Sequence, residues 1–199
     1  MTRESFDVLV IGASTGGPQA LSRVLAGLPA WFEVPILIVQ HMPPRFTAML
    51  ADRLARDSGR PCQEASHGDR IGAGQIYLAP GDFHLEIDNN AGQLVTRLTR
   101  DAPEHFCRPS VNPLFRTAAR HYSAGVLALM LTGMGSDGLE GARCVVQAGG
   151  RLIAQDEATS VVWGMPGAVV RHRLAHAVLP LDEIAPMIGR LSPLSEVAR

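Results

Sequence analysis

The chain has 199 residues, and 46% of them are hydrophobic, which is enough for one compact domain with a substantial core. Lysine and arginine number 18 against 19 aspartate and glutamate, so the net charge of -1 argues against nucleic acid or anionic lipid as a general partner. The three cysteines form no CxxC pattern and predict neither a disulfide framework nor a zinc site. No apolar run approaches the roughly 20 residues that cross a bilayer. We therefore expect a single domain over residues 1–199 that is cytoplasmic and not inserted in a membrane.

Short apolar runs alternate with amphipathic stretches along the chain. Runs rich in β-branched residues predict buried strands at residues 6–11, 35–39, 76–79, 126–131 and 152–154, with a less apolar strand near 62–65. Apolar residues at helical spacing predict helices at 46–55, 111–121 and 139–148. The alternation predicts an α/β fold, with a doubly wound, mostly parallel sheet and helices on both of its faces.

Residues 83–98 depart from this alternation. Two strand-like runs, HLEI and QLVTRL, flank a segment that contains Asp88, Asn89, Asn90 and Gly92. These residue types are typical of tight turns. The segment therefore predicts an antiparallel hairpin in addition to the parallel sheet.

A glycine-rich turn, GASTGGP, follows the first predicted strand at residues 12–18. Its first five residues fit the pattern G-x-S-x-G, in which a sharp bend exposes the serine hydroxyl, so Ser14 is a candidate nucleophile. The same glycines are compatible with a phosphate or dinucleotide loop, although the strict G-x-G-x-x-G pattern and the Walker lysine are missing. Serine is also a residue type that caps helices. The turn alone leaves all three interpretations open.

A histidine and an aspartate follow two other predicted strands. His41 comes after the strand at 35–39, and Asp137 lies in a second glycine-rich turn, TGMGSDG, after the strand at 126–131. Taken singly, His41 is compatible with an ordinary polar loop residue and Asp137 with a cap of the next helix. Because the carboxyl ends of parallel strands meet at one edge of a sheet, we expect both to lie near Ser14. Together they predict a nucleophile, a general base and an acid that orients the base.

Two other classes of site are disfavoured by the pattern. The chain order Ser-His-Asp differs from the Ser-Asp-His order of α/β-hydrolases, which argues against an ordinary lipase or esterase. His67, Asp69 and His84 are residue types that bind metals, but their spacing matches no metal signature. We therefore predict neither a metal nor a cofactor.

Six motifs follow one another along the chain: GASTGGP at 12–18, QHM at 40–42, YLAPG at 77–81, RPSV at 108–111, LTGMGSDG at 131–138 and AQDEATS at 154–160. In this order they resemble the catalytic domain of the chemotaxis protein-glutamate methylesterases. The resemblance spans about residues 6–180 and is far more specific than any single turn. It implies that Ser14 is the nucleophile, His41 the base and Asp137 the acid. It also implies that the backbone amides of Thr15 and Met134 donate to the oxyanion.

The resemblance implies a reaction and partners as well. The family hydrolyses γ-glutamyl methyl esters on the cytoplasmic helices of methyl-accepting chemotaxis receptors, and often deamidates particular glutamines there, through a serine acyl-enzyme. Its members normally carry an amino-terminal receiver domain, whereas here the first predicted strand already begins at Phe6. We expect an excised or stand-alone catalytic domain that works without phosphorylation, and a separate receiver or kinase as a regulatory partner.

Two functions from other classes remain as alternatives. In the first, the chain is a nucleotide-binding Rossmann-like module whose residues 12–17 cradle phosphates. In the second, it is a non-catalytic adaptor that binds receptor helices through the same cleft.

One position departs from the family pattern, since Asn112 follows RPSV where an aspartate is more usual. The sequence assigns Asn112 no role.

Overall fold

The computed structural model describes residues 5–192. The strands within this range are β1 (Val8–Ala13), β2 (Ile36–Gln40), β3 (Cys62–Glu64), β4 (Ile76–Leu78), β5 (His84–Asn90), β6 (Gln93–Thr99), β7 (Val126–Met130), β8 (Arg151–Gln155) and β9 (Ala177–Leu179). The helices are α1 (Gly17–Ala26), α2 (Phe46–Ser58), α3 (Val111–Tyr122), α4 (Leu139–Gln147), α5 (Met165–Arg171) and α6 (Leu181–Leu191). None of these helices is long and apolar enough to cross a membrane.

Seven strands form one parallel sheet in the order β3-β4-β2-β1-β7-β8-β9. The chain starts in the middle at β1 and builds toward one edge, then crosses back to β7 and builds toward the other edge. The order of the strands therefore reverses at β1, and ligands of open α/β sheets bind at the carboxyl ends of strands beside such a reversal. This arrangement confirms the predicted doubly wound, parallel α/β fold.

Helices cover both faces of the sheet. On one face, α1, α2 and α6 enclose a core that includes Leu21, Leu54 and Ile188. On the other face, α3, α4 and α5 enclose a second core, which includes Phe115 and Val145. All six residues of β1 are buried, because alternate side chains enter the two cores. This is why the strand reads as a continuous apolar run.

The predicted hairpin is present as β5 and β6, which pair antiparallel from His84 and Thr99 to Asn90 and Gln93. It packs on α3 and is separate from the parallel sheet. The backbone N–H of Ile87 donates to the hydroxyl of Thr117 on α3 at 3.0 Å. A buried hydroxyl thus anchors the hairpin to the helix.

The predicted strands and helices are found with shifted ends, whereas α5, β9 and α6 were not predicted. β9 has only three residues, at an edge of the sheet, and an apolar run of that length is too short to predict a strand. α5 has Pro166 and Gly167 in its first turn, and α6 contains Pro186 in its interior. Proline and glycine usually mark helix boundaries, and packing overrides that preference here.

Candidate active site

Ser14 lies directly after β1, at the reversal of the strand order. Its backbone N–H donates to the carbonyl of Thr132 at 3.0 Å, and its own carbonyl accepts from the N–H of Gly17 at 2.8 Å. Gly16 adopts a left-handed conformation with φ of 80° and is the N-cap of α1, which has no side-chain cap. Ser14 therefore does not cap the helix, and that alternative is wrong. Its side chain is partly exposed at the carboxyl edge of the sheet.

His41 lies beside the Ser14 turn because Ala13 at the end of β1 pairs with Gln40 at the end of β2. The N–H of His41 donates to the carbonyl of Ala13 at 3.1 Å. Gln40 is 2% exposed, and its amide donates to the carbonyls of Ser14 at 2.9 Å and His41 at 3.0 Å. One buried side chain thus ties both turns together. Gln40 is not among the residues predicted for the site, although a polar residue at the end of a buried apolar strand is a usable signal.

Asp137 and His41 are joined by a hydrogen bond of 2.7 Å between Oδ2 and Nε2. Oδ2 also accepts from the N–H of Val111 at 2.7 Å. Oδ1 accepts from the hydroxyl of Ser110 at 2.6 Å and from the N–H of Gly138 at 2.8 Å. The carboxylate, which is 3% exposed, therefore lies at the start of α3. It does not cap α4, whose N-cap is Gly138 without a side-chain cap.

Burial opposes charge on both groups of this pair, but hydrogen bonds outweigh it. Burial raises the pKa of Asp137, whereas hydrogen bonds from His41, Ser110 and Val111 lower it, so the pKa ends below its usual range. Burial lowers the pKa of His41, whereas hydrogen bonds to Asp137 and Cys107 raise it, with a net rise from 6.5 to about 9. The site therefore stabilises an imidazolium beside an ionised carboxylate.

Asp137 occupies Nε2 of His41, so Nδ1 is the ring nitrogen left to accept a proton. The sulfur of Cys107 lies 3.7 Å from Nδ1. Cys107 belongs to the loop before α3, and this loop is anchored by Glu104, which binds both terminal nitrogens of Arg116 at 2.9 and 2.5 Å. Cys107 could not be predicted as a neighbour of His41, because no spacing rule connects the two residues.

Thr132 joins the two glycine-rich turns to the loop after β8. Its hydroxyl donates to the carbonyl of Thr15 at 2.9 Å and accepts from the N–H of Val162 at 3.0 Å. The N–H of Gly133 donates to the carbonyl of Val162 at 2.9 Å. Within residues 5–192, the N–H groups of Thr15 and Met134 have no hydrogen-bond partner. Both are therefore available to a ligand at this edge.

The histidines considered as metal ligands make other contacts. His84 is 1% exposed, and its Nδ1 accepts from the N–H of Ser110 at 3.2 Å while its Nε2 donates to the carbonyl of Ala102 at 3.1 Å. Nδ1 of His67 accepts from the N–H of Leu98 at 3.3 Å. In the part of the chain that the structure describes, no group of three or more His, Cys, Asp or Glu side chains is placed to hold a metal ion.

Known proteins with a similar sequence and fold show the family of this chain. A model of the CheB methylesterase family matches residues 9–188. The chain belongs to this family. The crystal structure of the Thermotoga maritima CheB methylesterase catalytic domain superposes with a TM-score of 0.91 at 41% sequence identity, covering 94% of this chain and 99% of that one. The resemblance seen in the sequence motifs is confirmed.

Two curated relatives of this chain are also similar in sequence. The protein-glutamate methylesterase/protein-glutamine glutaminase of group 2 operon from Rhodospirillum centenum is 54% identical, over 94% of this chain and 47% of that protein. A protein-glutamate methylesterase/protein-glutamine glutaminase from Azospirillum brasilense is 54% identical, over 94% and 48%. The chain thus spans about half the length of the curated relatives it matches. The nucleotide-binding alternative is not favoured by these similarities.

Proposed function

We propose that this chain is a catalytic domain that hydrolyses γ-glutamyl methyl esters on the cytoplasmic helices of methyl-accepting chemotaxis receptors, and that it also deamidates specific glutamines there. In this proposal residues 1–199 act as one domain in the cytoplasm. The receptor helices are its substrate, and a receiver or kinase is its regulatory partner.

One observation carries the proposal. In a chain of the CheB methylesterase family, the hydrogen bond of 2.7 Å between His41 and Asp137 lies at the edge of the sheet where the Ser14 turn ends. The register of β1 and β2 brings the backbones of Ser14 and His41 side by side. A partly exposed serine, a histidine and a buried carboxylate in this arrangement have the parts that acyl transfer needs.

The proposed reaction begins when the hydroxyl of Ser14 attacks the ester carbonyl. A free serine hydroxyl is a weak nucleophile, so His41 takes its proton at Nδ1 as the bond forms. The resulting imidazolium is stabilised by Asp137, which holds the opposite nitrogen. The unpartnered N–H groups of Thr15 and Met134 donate to the tetrahedral oxyanion, and such a donor contributes about 3 to 4 kcal/mol in serine hydrolases.

Collapse of this intermediate releases the first product. His41 returns the proton to the departing methoxide, so methanol leaves and the glutamyl group stays on Ser14 as an ester. With a glutamine substrate, the same proton goes to the departing amine and ammonia leaves. A water molecule then attacks the acyl-enzyme while His41 accepts its proton, and the glutamate product departs with Ser14 restored.

Three exposed apolar side chains lie around the site, and they favour a protein as the substrate. They are Phe106, Met134 and Val161, which are 103%, 69% and 69% exposed, and we name them the apolar rim. Phe106 precedes Cys107, the neighbour of His41. Val161 packs so closely on the Ser14 turn that a Cβ at residue 16 would lie 2.6 Å from it. A surface of this kind suits the apolar positions of an amphipathic helix.

The proposal is tested by methanol release from methylated receptor membranes, with wild type, Ser14→Ala and Ser58→Ala compared. Ser58 lies at the end of α2, so its variant is a control for the loss of a hydroxyl. Methanol release is expected from wild type and Ser58→Ala but not from Ser14→Ala. Turnover near the wild-type rate in Ser14→Ala would overturn the proposed nucleophile. Receptor binding by wild type without turnover would favour the adaptor.

A further inference from the structure

Ser110 is a buried polar residue at the start of α3 that has no part in the mechanism above. It is the N-cap of the helix, it is fully buried, and its hydroxyl oxygen accepts from the N–H of Asn112 at 3.3 Å. The same hydroxyl lies 2.6 Å from Oδ1 of Asp137. An ionised carboxylate only accepts hydrogen bonds, so the single hydroxyl proton of Ser110 is donated to Asp137.

The donation fixes which way the carboxylate faces. Ser110 and Gly138 hold Oδ1, which leaves Oδ2 for Val111 and His41. A hydrogen bond to an ionised group is stronger than one between neutral groups, and a buried site strengthens it further. Ser110 therefore restrains rotation of the carboxylate that holds the imidazole.

Ser110 is itself held in place from a different part of the fold. Its N–H donates to Nδ1 of His84, on β5, at 3.2 Å. His84 in turn donates from Nε2 to the carbonyl of Ala102 at 3.1 Å. A continuous series of hydrogen bonds thus runs from His84 through Ser110 and Asp137 to His41.

We propose that Ser110 is a positioning residue for the hydrolysis reaction, acting through Asp137 on His41 in addition to capping α3. This inference rests on the proposed function. The other titratable groups nearby are Cys107, which faces His41, His84, which faces the N–H of Ser110, and Glu104, whose charge is paired with Arg116.

The test compares Ser110→Ala, Ser110→Gly and Ser110→Thr. Glycine is tolerated as an N-cap far better than alanine, so Ser110→Gly removes the hydroxyl while largely preserving the start of the helix. Both Ser110→Ala and Ser110→Gly are expected to lower kcat for methanol release by about 10- to 100-fold, the loss seen when a hydrogen-bond partner that orients a metal-binding side chain is removed. KM should change little, and Ser110→Thr should recover most of kcat.

A pH profile separates positioning from capping. Without the Ser110 donor, Asp137 becomes more basic and holds the imidazolium proton more tightly. The acidic limb of kcat/KM should therefore move to higher pH in Ser110→Gly. Thr117→Val is the matched control, because it removes another buried hydroxyl of α3 that binds only backbone groups. It should lower thermal stability without moving the limb.

An NMR titration of His41 gives the same answer without a substrate, and so distinguishes failure of this inference from failure of the proposed function. A higher His41 pKa in Ser110→Gly supports the positioning role even if no receptor ester is hydrolysed. An unchanged kcat and an unchanged His41 titration in Ser110→Gly would overturn it. A shift to lower pH together with a reduced kcat would also support it, because removal of the Ser110 hydroxyl would then have cost the His41–Asp137 bond itself. If Ser110→Ala does not fold, the glycine and threonine variants still decide.

Discussion

The turn after β1 and the turn after β7 are both rich in glycine, yet they treat their polar side chains in opposite ways. Ser14 is partly exposed and caps no helix. Asp137 is 3% exposed and accepts four hydrogen bonds. In a serine hydrolase the attacking group has to reach the substrate, whereas the acid has to keep one orientation. The two turns have similar residues, and the difference between them lies in what surrounds each polar side chain.

The largest expected effect on turnover comes from removing the negative charge of Asp137, the buried side chain of this comparison. Asp137→Asn keeps the size of the side chain but replaces an acceptor oxygen with an N–H₂ group that cannot accept from His41 or Ser110. Turnover is expected to fall by up to about 10⁴-fold, as wrong-tautomer substitutions do in serine proteases. The measurement is kcat for methanol release from methylated receptor membranes. A loss below tenfold in a folded protein would mean that Asp137 is only a structural group.

Displacing Ser14, the partly exposed side chain of the comparison, should have the next largest effect on turnover. A Cβ at residue 133 would lie 2.5 Å from the sulfur of Met165 and 2.8 Å from Cβ of Ser14. Gly133→Ala should therefore displace Ser14, the proposed nucleophile, and lower kcat by about 10²-fold, a loss that a displacement near 1 Å can cause. Gly189→Ala in α6 is the control, since its added Cβ would make only ordinary contacts, at 3.4 Å or more. Equal rates for both variants would contradict the close packing of the two turns.

The free energy of unfolding should also respond differently to the loss of the Asp137 and Ser14 side chains. Asp137→Ala leaves several buried donors without an acceptor and should lower the free energy of unfolding by about 3 kcal/mol. Ser14→Ala should change it by less than about 0.5 kcal/mol. Because the pKa of Asp137 is below its ordinary value of 3.8, its contribution is present above pH 3.8 and is lost as the pH falls further. Urea unfolding at neutral and acidic pH measures both effects, and equal losses for the two variants at neutral pH would contradict them.

The smallest expected effect concerns His41, the proposed base, which contacts both turns. His41 must be neutral to accept a proton, so kcat/KM should rise with pH through its pKa of about 9 and then level off. Cys107 is one of the groups that raise this pKa, so Cys107→Ala should move the rise to lower pH. Rates measured across the pH range in wild type and Cys107→Ala check both statements. A profile that is flat above neutral pH in wild type would show that His41 is already neutral there.

Local patterns were sufficient to predict the strands that carry the site. β1, β2 and β7 are short apolar runs, each followed by a turn with a distinctive sequence, and the carboxyl ends of parallel strands share an edge. This reasoning placed His41 and Asp137 at the same edge, and the structure joins them by a hydrogen bond. It also predicted the hairpin of β5 and β6 from its turn residues.

The supporting contacts could not be predicted in the same way, because they depend on packing between distant segments. The hydroxyl of Ser110 meets a carboxylate 27 residues later in the chain, and the amide of Gln40 reaches back 26 residues to the Ser14 carbonyl. The hydroxyl of Thr132 reaches Thr15 across 117 residues. No periodicity encodes such pairs, since they arise only once the register of the strands and the position of α3 are set.

The three turns of the site all follow strands at the centre of the sheet, since β2, β1 and β7 are adjacent and β3 and β9 form the two edges. Edge strands of three residues are the segments most prone to transient opening, whereas a central strand exchanges its amide hydrogens only when the whole domain unfolds. Fraying at either edge therefore leaves the geometry of the proposed active site intact. Heat should inactivate this domain in a single step together with global unfolding, and amides of β1 should be among the last to exchange with solvent.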